Sequence, residues 1–277
     1  MVKEDFIRKR VKLPLTKQKY IRASGFAYMC AREEVICILE DMERDDSVNS
    51  DTMITFGHGT ALHNFLQSYL LPQLGVIRGA WKCIECGHEV GLVEEGKAPI
   101  DCIVERPEHC EKCGTMALDE HDDPNLLFRE QFFFDDQSKV GGHNDGFLVL
   151  PGRPGVGVLE AKSISQKGAT EVRHTPKVEH VIQAQIYMWL TGCKWSIILY
   201  WVKGQYGVKC LIDHVVERDM DTIKKIKRTA NSIWRGAEKK TLPKRICGTS
   251  SCARARDCLV RGTCFKEELD EPDGHQF

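Results

Sequence analysis

The sequence predicts an α/β fold with a mixed sheet at its centre. Predicted strands fall into two groups, one within residues 128–161 and one within residues 196–216, and both are rich in aromatic or β-branched residues. A helical pattern over residues 176–191 separates the groups, and further helices precede and follow them. Consecutive strands flanked by helices are typical of α/β proteins. The 277 residues suffice for one large domain or two small ones.

The first part of the chain is predicted to be helical. Ser24 is expected to cap a helix that carries Cys30 and ends near residue 43. A second helix is predicted over residues 57–71, where Pro72 ends it.

The strands and later helices follow in the second half of the chain. A Pro/Gly-rich turn over residues 151–155 joins two strands, and Gly192 ends the helix over residues 176–191. A basic helix is predicted over residues 219–237. The predicted strands cover residues 128–134, 147–150, 157–161, 196–202 and 208–216.

Charge and hydropathy exclude two classes of protein. The chain has 39 basic and 40 acidic residues, a net charge of −1, which excludes a basic surface over the whole protein. Nucleic acid would therefore have to bind at a local basic patch. The longest apolar run, residues 197–202, is too short to span a membrane. The first residues lack the apolar stretch of a secretory signal. We therefore expect an intracellular protein of the cytoplasm, the nucleoid or the cytoplasm of a phage-infected host.

Cysteine content points to metal binding. The chain has thirteen cysteines, an odd number, and nine of them lie in two clusters, residues 83–113 and 247–264. A reducing compartment opposes disulfides, so clustered thiolates indicate metal sites before they indicate bridges.

The first cysteine cluster predicts a zinc ribbon. It contains two CxxCG motifs, one with Cys83 and Cys86 and the other with Cys110 and Cys113. Glycine after each pair permits the tight turn that directs backbone amides toward the sulfur atoms. Four thiolates suit tetrahedral Zn²⁺ and leave no open position for water, so the zinc is expected to be structural.

A second pattern suits a different metal. In a strand, Glu160 and Lys162 point to the same side, and Asp145 converges on Glu160 if its strand is the hairpin neighbour. Paired carboxylates suit Mg²⁺ or Mn²⁺, which could activate water for attack on a phosphate. The alternative is a surface hairpin with ordinary ion pairs.

Four short motifs in one order give the sequence a family resemblance. They are GxxxH at residues 59–63, GxxD at residues 142–145, ExK at residues 160–162 and QxxxY at residues 183–187. Together they resemble the RecB-like branch of PD-(D/E)xK nucleases, which includes AddB-type and CRISPR-associated nucleases and phage exonucleases. The resemblance implies a restriction-endonuclease-like core, a mixed central sheet flanked by helices. The inserted ribbon is a departure from this family.

The resemblance also implies site roles. His63 would join Asp145 and Glu160 as a ligand of Mg²⁺ or Mn²⁺, and Lys162 would orient water or offset charge. Gln183 and Tyr187, one helical turn apart, would hold the DNA backbone and the lysine. The alternatives are a surface or capping role for His63 and helix packing for Gln183 and Tyr187. Glu130 is a further acidic candidate.

The second cysteine cluster contains Cys247, Cys252, Cys258 and Cys264. Four thiolates could form a self-contained zinc site. The family resemblance instead implies a [4Fe-4S] cluster, because the segment around Cys30 resembles the family's S-x-x-x-x-x-C-P-R pattern, with Ala31 where proline is usual. The preferred ligands are Cys30, Cys247, Cys258 and Cys264, with Cys252 spare. The alternative for Cys30 is a buried apolar thiol.

A basic helix is a candidate DNA surface. It includes Lys224, Lys225, Lys227 and Arg228, and Trp234 follows. Cations could contact phosphates while the indole stacks on a base. The alternative is a solvated helix face with Trp234 in the core.

The predicted function is metal-dependent DNA cleavage, most simply by an exonuclease acting on linear DNA ends in phage or mobile-element recombination or repair. DNA, single- or double-stranded, is the expected partner, with a recombination or repair protein as a second partner and no membrane. The alternatives are an endonuclease of the same family and a non-catalytic zinc and iron–sulfur module. The predicted domains are residues 1–77, the ribbon at 78–120, the nuclease core at 121–245 and the iron–sulfur tail at 246–277.

Overall fold

The computed structural model describes residues 10–11, 16–17, 19–44, 48–94 and 97–269, so residues 270–277 of the predicted tail lie outside it. The chain has a mixed α/β fold with several curled sheets and flanking helices. Within these residues, no helix is both long enough and apolar enough to cross a membrane.

The strands and helices are numbered in chain order. The strands are β1 (Arg10–Val11), β2 (Thr16–Lys17), β3 (Ile21–Arg22), β4 (Glu43–Arg44), β5 (Val48–Asn49), β6 (Ile77–Arg78), β7 (Ala80–Cys83), β8 (Glu89–Val90), β9 (Leu126–Arg129), β10 (Gln131–Asp135), β11 (Val140–Asn144), β12 (Phe147–Leu148), β13 (Gly157–Ile164), β14 (Trp195–Val202) and β15 (Leu211–Glu217). The α-helices are α1 (Ala31–Leu39), α2 (Ser50–Phe65), α3 (Pro99–Cys102), α4 (Gln166–Val172), α5 (Val178–Thr191), α6 (Met220–Glu238), α7 (Ala253–Arg256) and α8 (Arg261–Leu269). Two 3-10 helices cover Ala23–Tyr28 and Gly207–Cys210. A π-helical turn, Leu66–Leu70, and a short α-helical turn, Leu71–Gln73, continue α2, so the helical segment runs past Pro72, where the prediction ended it.

The central sheet has the strand order β15-β14-β13-β12-β6. Strands β13 and β14 are parallel, and the other pairs are antiparallel. Both faces of β13 are covered, since Val158 packs in a core with α5 and α6, while Leu159 packs with Leu66 and Trp81. This burial on both faces explains why β13 reads as a continuous apolar run interrupted by Glu160 and Lys162.

A second sheet, β10-β11-β3, meets the central sheet at a corner. The chain leaves β11 at Asn144, turns through Asp145 and Gly146, and enters β12. Gly146 has a φ of +136°, a backbone conformation that favours glycine. The corner therefore places Asp145 where the two sheets meet.

Several predicted boundaries differ from the structure. Cys30 lies in extended backbone between a 3-10 helix and α1, where the prediction put it inside one helix. Helix α2 begins at Ser50, seven residues before its predicted start, because the Asn49 side chain accepts a hydrogen bond from the Thr52 amide at 2.8 Å. The sequence pattern that predicted a helix start near residue 57 does not reach back to Asn49, so it could not indicate this earlier N-cap.

The predicted strand over residues 128–134 is two strands. They are separated at Glu130, because β9 pairs with β7 and β10 pairs with β11. Strand β11 and helix α4 were not predicted. The glycine-rich sequence of β11 has weak strand propensity, and its pairing on both edges compensates.

Candidate active site and metal centres

Four elements bring polar side chains to the corner between the two sheets. Helix α2 contributes His63, the segment between β9 and β10 contributes Glu130, and the corner itself contributes Asp145. Strand β13 contributes Glu160 and Lys162. These residues are far apart in the sequence, so only the folded chain assembles them.

His63, Glu130 and Asp145 form a compact group. His63 Nδ1 lies 3.6 Å from Asp145 Oδ1 and 3.8 Å from Glu130 Oε1. One nitrogen or oxygen atom from each of the three residues lies within 4.8 Å of the others. One imidazole and two carboxylates suit Mn²⁺ or Mg²⁺.

Gln67 fixes the two carboxylates relative to one another. Its side-chain Nε2 donates to Glu130 Oε1 at 3.0 Å and to the Asp145 carbonyl at 2.9 Å. The Ala161 amide also donates to Asp145 Oδ2 at 2.7 Å. Gln67 was not predicted, although it lies one helical turn after His63, a spacing that puts both side chains on the same face.

Glu160 and Lys162 are a buried ion pair beside this group. Glu160 is fully buried, whereas about a quarter of the Lys162 side chain is exposed. Apart from the Lys162 ammonium, which contacts Oε1, neither carboxylate oxygen of Glu160 has a hydrogen-bond partner among the described residues. A buried carboxylate with free lone pairs is costly and suits a bound cation.

Burial and proximity alter the protonation of these groups. Burial raises the pKa of Glu160 to about 7, against the opposing effect of Lys162, and burial also raises the pKa of Asp145. A hydrogen bond to Glu130 raises the pKa of His63. Burial opposes ionisation of Glu130, but its hydrogen bonds with His63 and Gln67 prevail and lower its pKa. A bound cation would favour the charged form of every carboxylate here.

Only some of the residues that were predicted to bind Mg²⁺ or Mn²⁺ lie in one compact group. His63 and Asp145 lie together, and Glu130 completes that group, whereas Glu160 faces Lys162 outside it. The donor chemistry fits a hard divalent cation held by His63, Asp145 and Glu130. Glu160 lies close enough to Asp145 for their charges to interact.

The two residues of the QxxxY motif, Gln183 and Tyr187, are buried next to β11, the strand that leads into the corner. Tyr187 is 2% exposed, and its hydroxyl donates to the His143 carbonyl at 2.5 Å. A Cβ atom at Gly142 would lie 2.7 Å from this hydroxyl, which explains glycine at that position. Gln183 is buried and hydrogen-bonds to Tyr187. Both side chains therefore position β11 and the following Asp145.

His180 and Tyr200 form a further pair that was not predicted. The Tyr200 hydroxyl accepts a hydrogen bond from the Lys177 amide at 3.1 Å and lies 2.8 Å from His180 Nδ1. Burial, and then the charge of Lys162, lowers the pKa of His180 to about 4. In the sequence, the signal for His180 is its position three residues before Gln183, because this spacing places both side chains on the same face of α5.

The four cysteines of the two CxxCG motifs come together. Ligand atoms of Cys83, Cys86, Cys110 and Cys113 all lie within 4.8 Å of one another, with two Sγ–Sγ distances of 3.6 Å. Tetrahedral Zn–S bonds of about 2.3 Å place thiolates about 3.8 Å apart, so the cluster has the size of a zinc site. The module is continuous with the core, because Trp81 of β7 is fully buried against Leu66.

The tail cysteines surround a small pocket that Cys30 also lines. Its lining includes Cys30, Cys247, Cys258 and Cys264 but not Cys252, whose sulfur accepts from the Ala255 amide. In the part of the chain that the structure describes, no three of these five sulfur atoms lie within 4.8 Å of one another. This spacing is wider than one zinc ion requires.

The predicted DNA-binding cations lie on helix α6, and they are not equivalent. Lys224 pairs with Asp221 at 3.1 Å, and the Lys227 ammonium lies 4.4 Å from the centre of the Trp189 ring. Lys225 and Arg228 are exposed. Trp234 is half-buried, and its Nε1 donates to the Ser138 carbonyl at 2.9 Å, so the indole packs against the core and is not a free stacking platform.

Comparison with known proteins gives distant structural likenesses. No protein-family model matches the chain, and no curated protein matches it. An alkaline exonuclease (LHK-Exo) from Laribacter hongkongensis, alone and in complex with dAMP, is 16% identical, with 80% of this chain and 89% of that chain covered and a TM-score of 0.46. SSO0001 is 15% identical, with 79% and 78% covered and a TM-score of 0.38. Likeness at this level assigns no activity.

Proposed function

We propose that this protein is a metal-dependent nuclease that hydrolyses DNA phosphodiester bonds. The observation that carries the proposal is the convergence of His63, Glu130 and Asp145 beside the buried pair of Glu160 and Lys162. Hard oxygen ligands, one imidazole and an adjacent ammonium suit both a divalent cation and an anionic phosphate.

Each residue has a distinct part in this chemistry. His63, Asp145 and Glu130 would hold the cation, and Glu160 beside them would offer a further carboxylate to it. Mg²⁺ or Mn²⁺ would lower the pKa of bound water and stabilise charge on the phosphate. Lys162 would then direct its ammonium at the phosphate or at the attacking water. Gln67 and Tyr187 position the ligands and do not touch the substrate.

We assign the site to the PD-(D/E)xK type, and we assign structural metals to the cysteine clusters. The spacing of the ribbon thiolates supports Zn²⁺, and the single pocket that Cys30, Cys247, Cys258 and Cys264 line together supports a [4Fe-4S] cluster. The exposed Lys225 and Arg228 of α6 are candidates for contacts with DNA phosphates. Exonuclease action on linear ends is our preferred mode, and a recombination or repair role would use it.

The test uses anaerobically purified protein, Mn²⁺, and end-labelled linear single- and double-stranded DNA beside a covalently closed circle. We expect the wild type to cleave the linear DNA and Glu160→Gln to lose on the order of 10²-fold in rate or more. Glu217→Gln, which changes an exposed glutamate on β15, is the matched control and should keep wild-type activity.

Two experimental results would replace the proposed function with one of its alternatives. Cleavage of the closed circle would identify an endonuclease. No cleavage of any DNA by wild-type protein that retains its zinc and iron would favour the non-catalytic binding module.

A further inference from the structure

A second cavity lies beside helix α2. It is an open pocket of about 530 Å³. One wall comes from α2 and its π-helical turn, with Asn64, Phe65 and Tyr69, and the other comes from the segment leaving the ribbon, with Asp123, Leu127 and Phe128. The volume lies within the range of small-molecule sites. None of the metal ligands proposed above lines it.

Aromatic rings dominate the helix wall. Phe65 and Tyr69 are stacked, with ring centroids 5.4 Å apart and an interplanar angle of 24°, and Trp201 meets Phe65 edge-on at 5.8 Å. Phe65 is 40% exposed, so part of its ring is open to a ligand. A flat, partly exposed aromatic surface beside a cavity suits stacking by another planar ring.

The charge of the lining argues against a phosphate as the ligand. No lysine or arginine is among the described residues that line the pocket, and Asp123 contributes a carboxylate. A carboxylate repels phosphate but accepts hydrogen bonds from the amino and imino groups of a nucleobase. The exposed Asn64 adds both a donor and an acceptor.

The cysteine ribbon fixes the second wall. The Ile84 amide, between Cys83 and Cys86, donates to the Asn125 carbonyl at 3.0 Å, and the Asn125 amide donates to the Ala117 carbonyl at 2.8 Å. The Asp123 amide donates to Asp119 Oδ1 at 2.8 Å. The first CxxCG motif and the segment that follows the second therefore hold the backbone that presents Asp123 and Leu127.

We propose that this pocket binds an unpaired nucleobase of the DNA strand whose phosphodiester reaches the His63 centre. This inference rests on the proposed nuclease function. Phe65 follows His63 by two residues, which is about 200° of rotation and about 3 Å of rise, so the two side chains leave opposite sides of α2, and a strand that reaches both sites passes over the helix. The substrate is then single-stranded DNA or a frayed end, since a base inside a duplex is stacked and paired. The segment that leaves the ribbon completes the pocket.

The test measures binding without cleavage. A single-stranded oligonucleotide carrying 2-aminopurine is titrated in EDTA, and both its anisotropy and its 2-aminopurine fluorescence are followed. We expect wild-type protein to quench the fluorescence at one position of the strand. Phe65→Ala should weaken affinity about tenfold and abolish that quenching, because one base–aromatic stack is worth about 1–3 kcal/mol. An abasic oligonucleotide should bind equally to wild type and Phe65→Ala.

Phe56→Ala is the matched control, because Phe56 is an exposed phenylalanine on the same helix that does not line the pocket. It should leave affinity within twofold of the wild type. If a folded Phe65→Ala variant keeps the DNA affinity and the 2-aminopurine quenching of the wild type, the proposal that this pocket binds a nucleobase is overturned. The occupant of the pocket would then be of another kind, such as a partner protein. If Phe65→Ala does not fold, absence of quenching by wild-type protein at every position overturns the proposal.

The two proposals fail separately. DNA cleavage in Mn²⁺ that Phe65→Ala leaves unchanged, with unchanged binding in EDTA, rejects the base pocket and retains the nuclease. Base-dependent binding by a wild-type protein that cleaves no DNA rejects the nuclease.

Discussion

At the scale of single residues, His180 illustrates how burial sets a protonation state. Its Nδ1 lies 2.8 Å from the Tyr200 hydroxyl, and the charged neighbours that act on it are Lys162, Lys177 and Glu179. Burial and Lys162 keep the ring neutral in the folded protein to about pH 4, whereas an unfolded histidine takes up a proton near pH 6.5. The unfolded chain therefore binds more protons between these values.

This difference predicts a pH effect on stability. The contribution of His180 is fully present above about pH 6.5 and is lost as pH falls toward 4. We expect it to be about 1 kcal/mol after allowance for the partial exposure of the ring. Urea unfolding at pH 5 and pH 7.5 should show a smaller pH dependence for His180→Gln than for the wild type. His174→Gln, which changes an exposed histidine, is the control, and equal pH dependence in all three proteins would contradict the prediction.

At the scale of elements, the ribbon carries the four-cysteine cluster and is also a part of the core. Strand β7 ends at Cys83 and pairs with β9, and it also carries Trp81 into the cluster that contains Leu66 and Leu159. Because β9 leads directly to Glu130, the ribbon connects to the segment that supplies a proposed metal ligand. Loss of its metal should therefore disturb more than the ribbon.

Removal of a ribbon ligand tests this connection. We expect one zinc ion per chain in the wild type, and its loss in Cys110→Ser, with a fall in Tm of at least about 5 °C and a red-shifted tryptophan emission as Trp81 becomes exposed. Cys102→Ser is the matched control, since Cys102 lies in the same module outside the four-cysteine cluster. Retention of zinc by Cys110→Ser would disprove the assignment.

At the scale of the whole molecule, the C-terminal tail packs against helix α1. Cys264, Val260 and Phe265 are buried in one cluster with Ile36 and Cys37 of α1. The neighbouring pocket collects Cys30 from this end of the chain and three cysteines from the other. A cluster bound there would cross-link two distant segments, which reduces the conformational entropy of the unfolded chain.

Two cysteine variants test this closure. Anaerobically purified wild type should contain about four iron atoms per chain and absorb visible light. Cys258→Ser should lose both the iron and the absorbance, and its tail should become sensitive to protease, whereas Cys252→Ser should retain iron. Zinc in place of iron in the wild type, or equal iron loss in both variants, would refute the predicted ligand set.

The sequence by itself determined the features that depend on near neighbours in the chain. The helix predicted over residues 176–191 is α5, Val178–Thr191, and it ends at Gly192 because that residue adopts a φ of +78°. The strand predicted over residues 196–202 is β14, Trp195–Val202. Periodicity and the local backbone preference of glycine were sufficient for these elements. The CxxCG motifs likewise identified the four cysteines that cluster, since their spacing carries the geometry.

Only the tertiary structure decided which distant residues meet. Glu130 joins His63 and Asp145 because β9 and β10 pair with different sheets and turn the chain between them. Gln67 contacts the Glu130 carboxylate and the Asp145 backbone carbonyl, which lie 63 and 78 residues further along the chain. The pocket around Phe65 likewise needs a wall from the segment that leaves the ribbon. These contacts depend on strand pairing and on the corner at Gly146, and a local sequence pattern contains neither the pairing partner nor the direction of the turn.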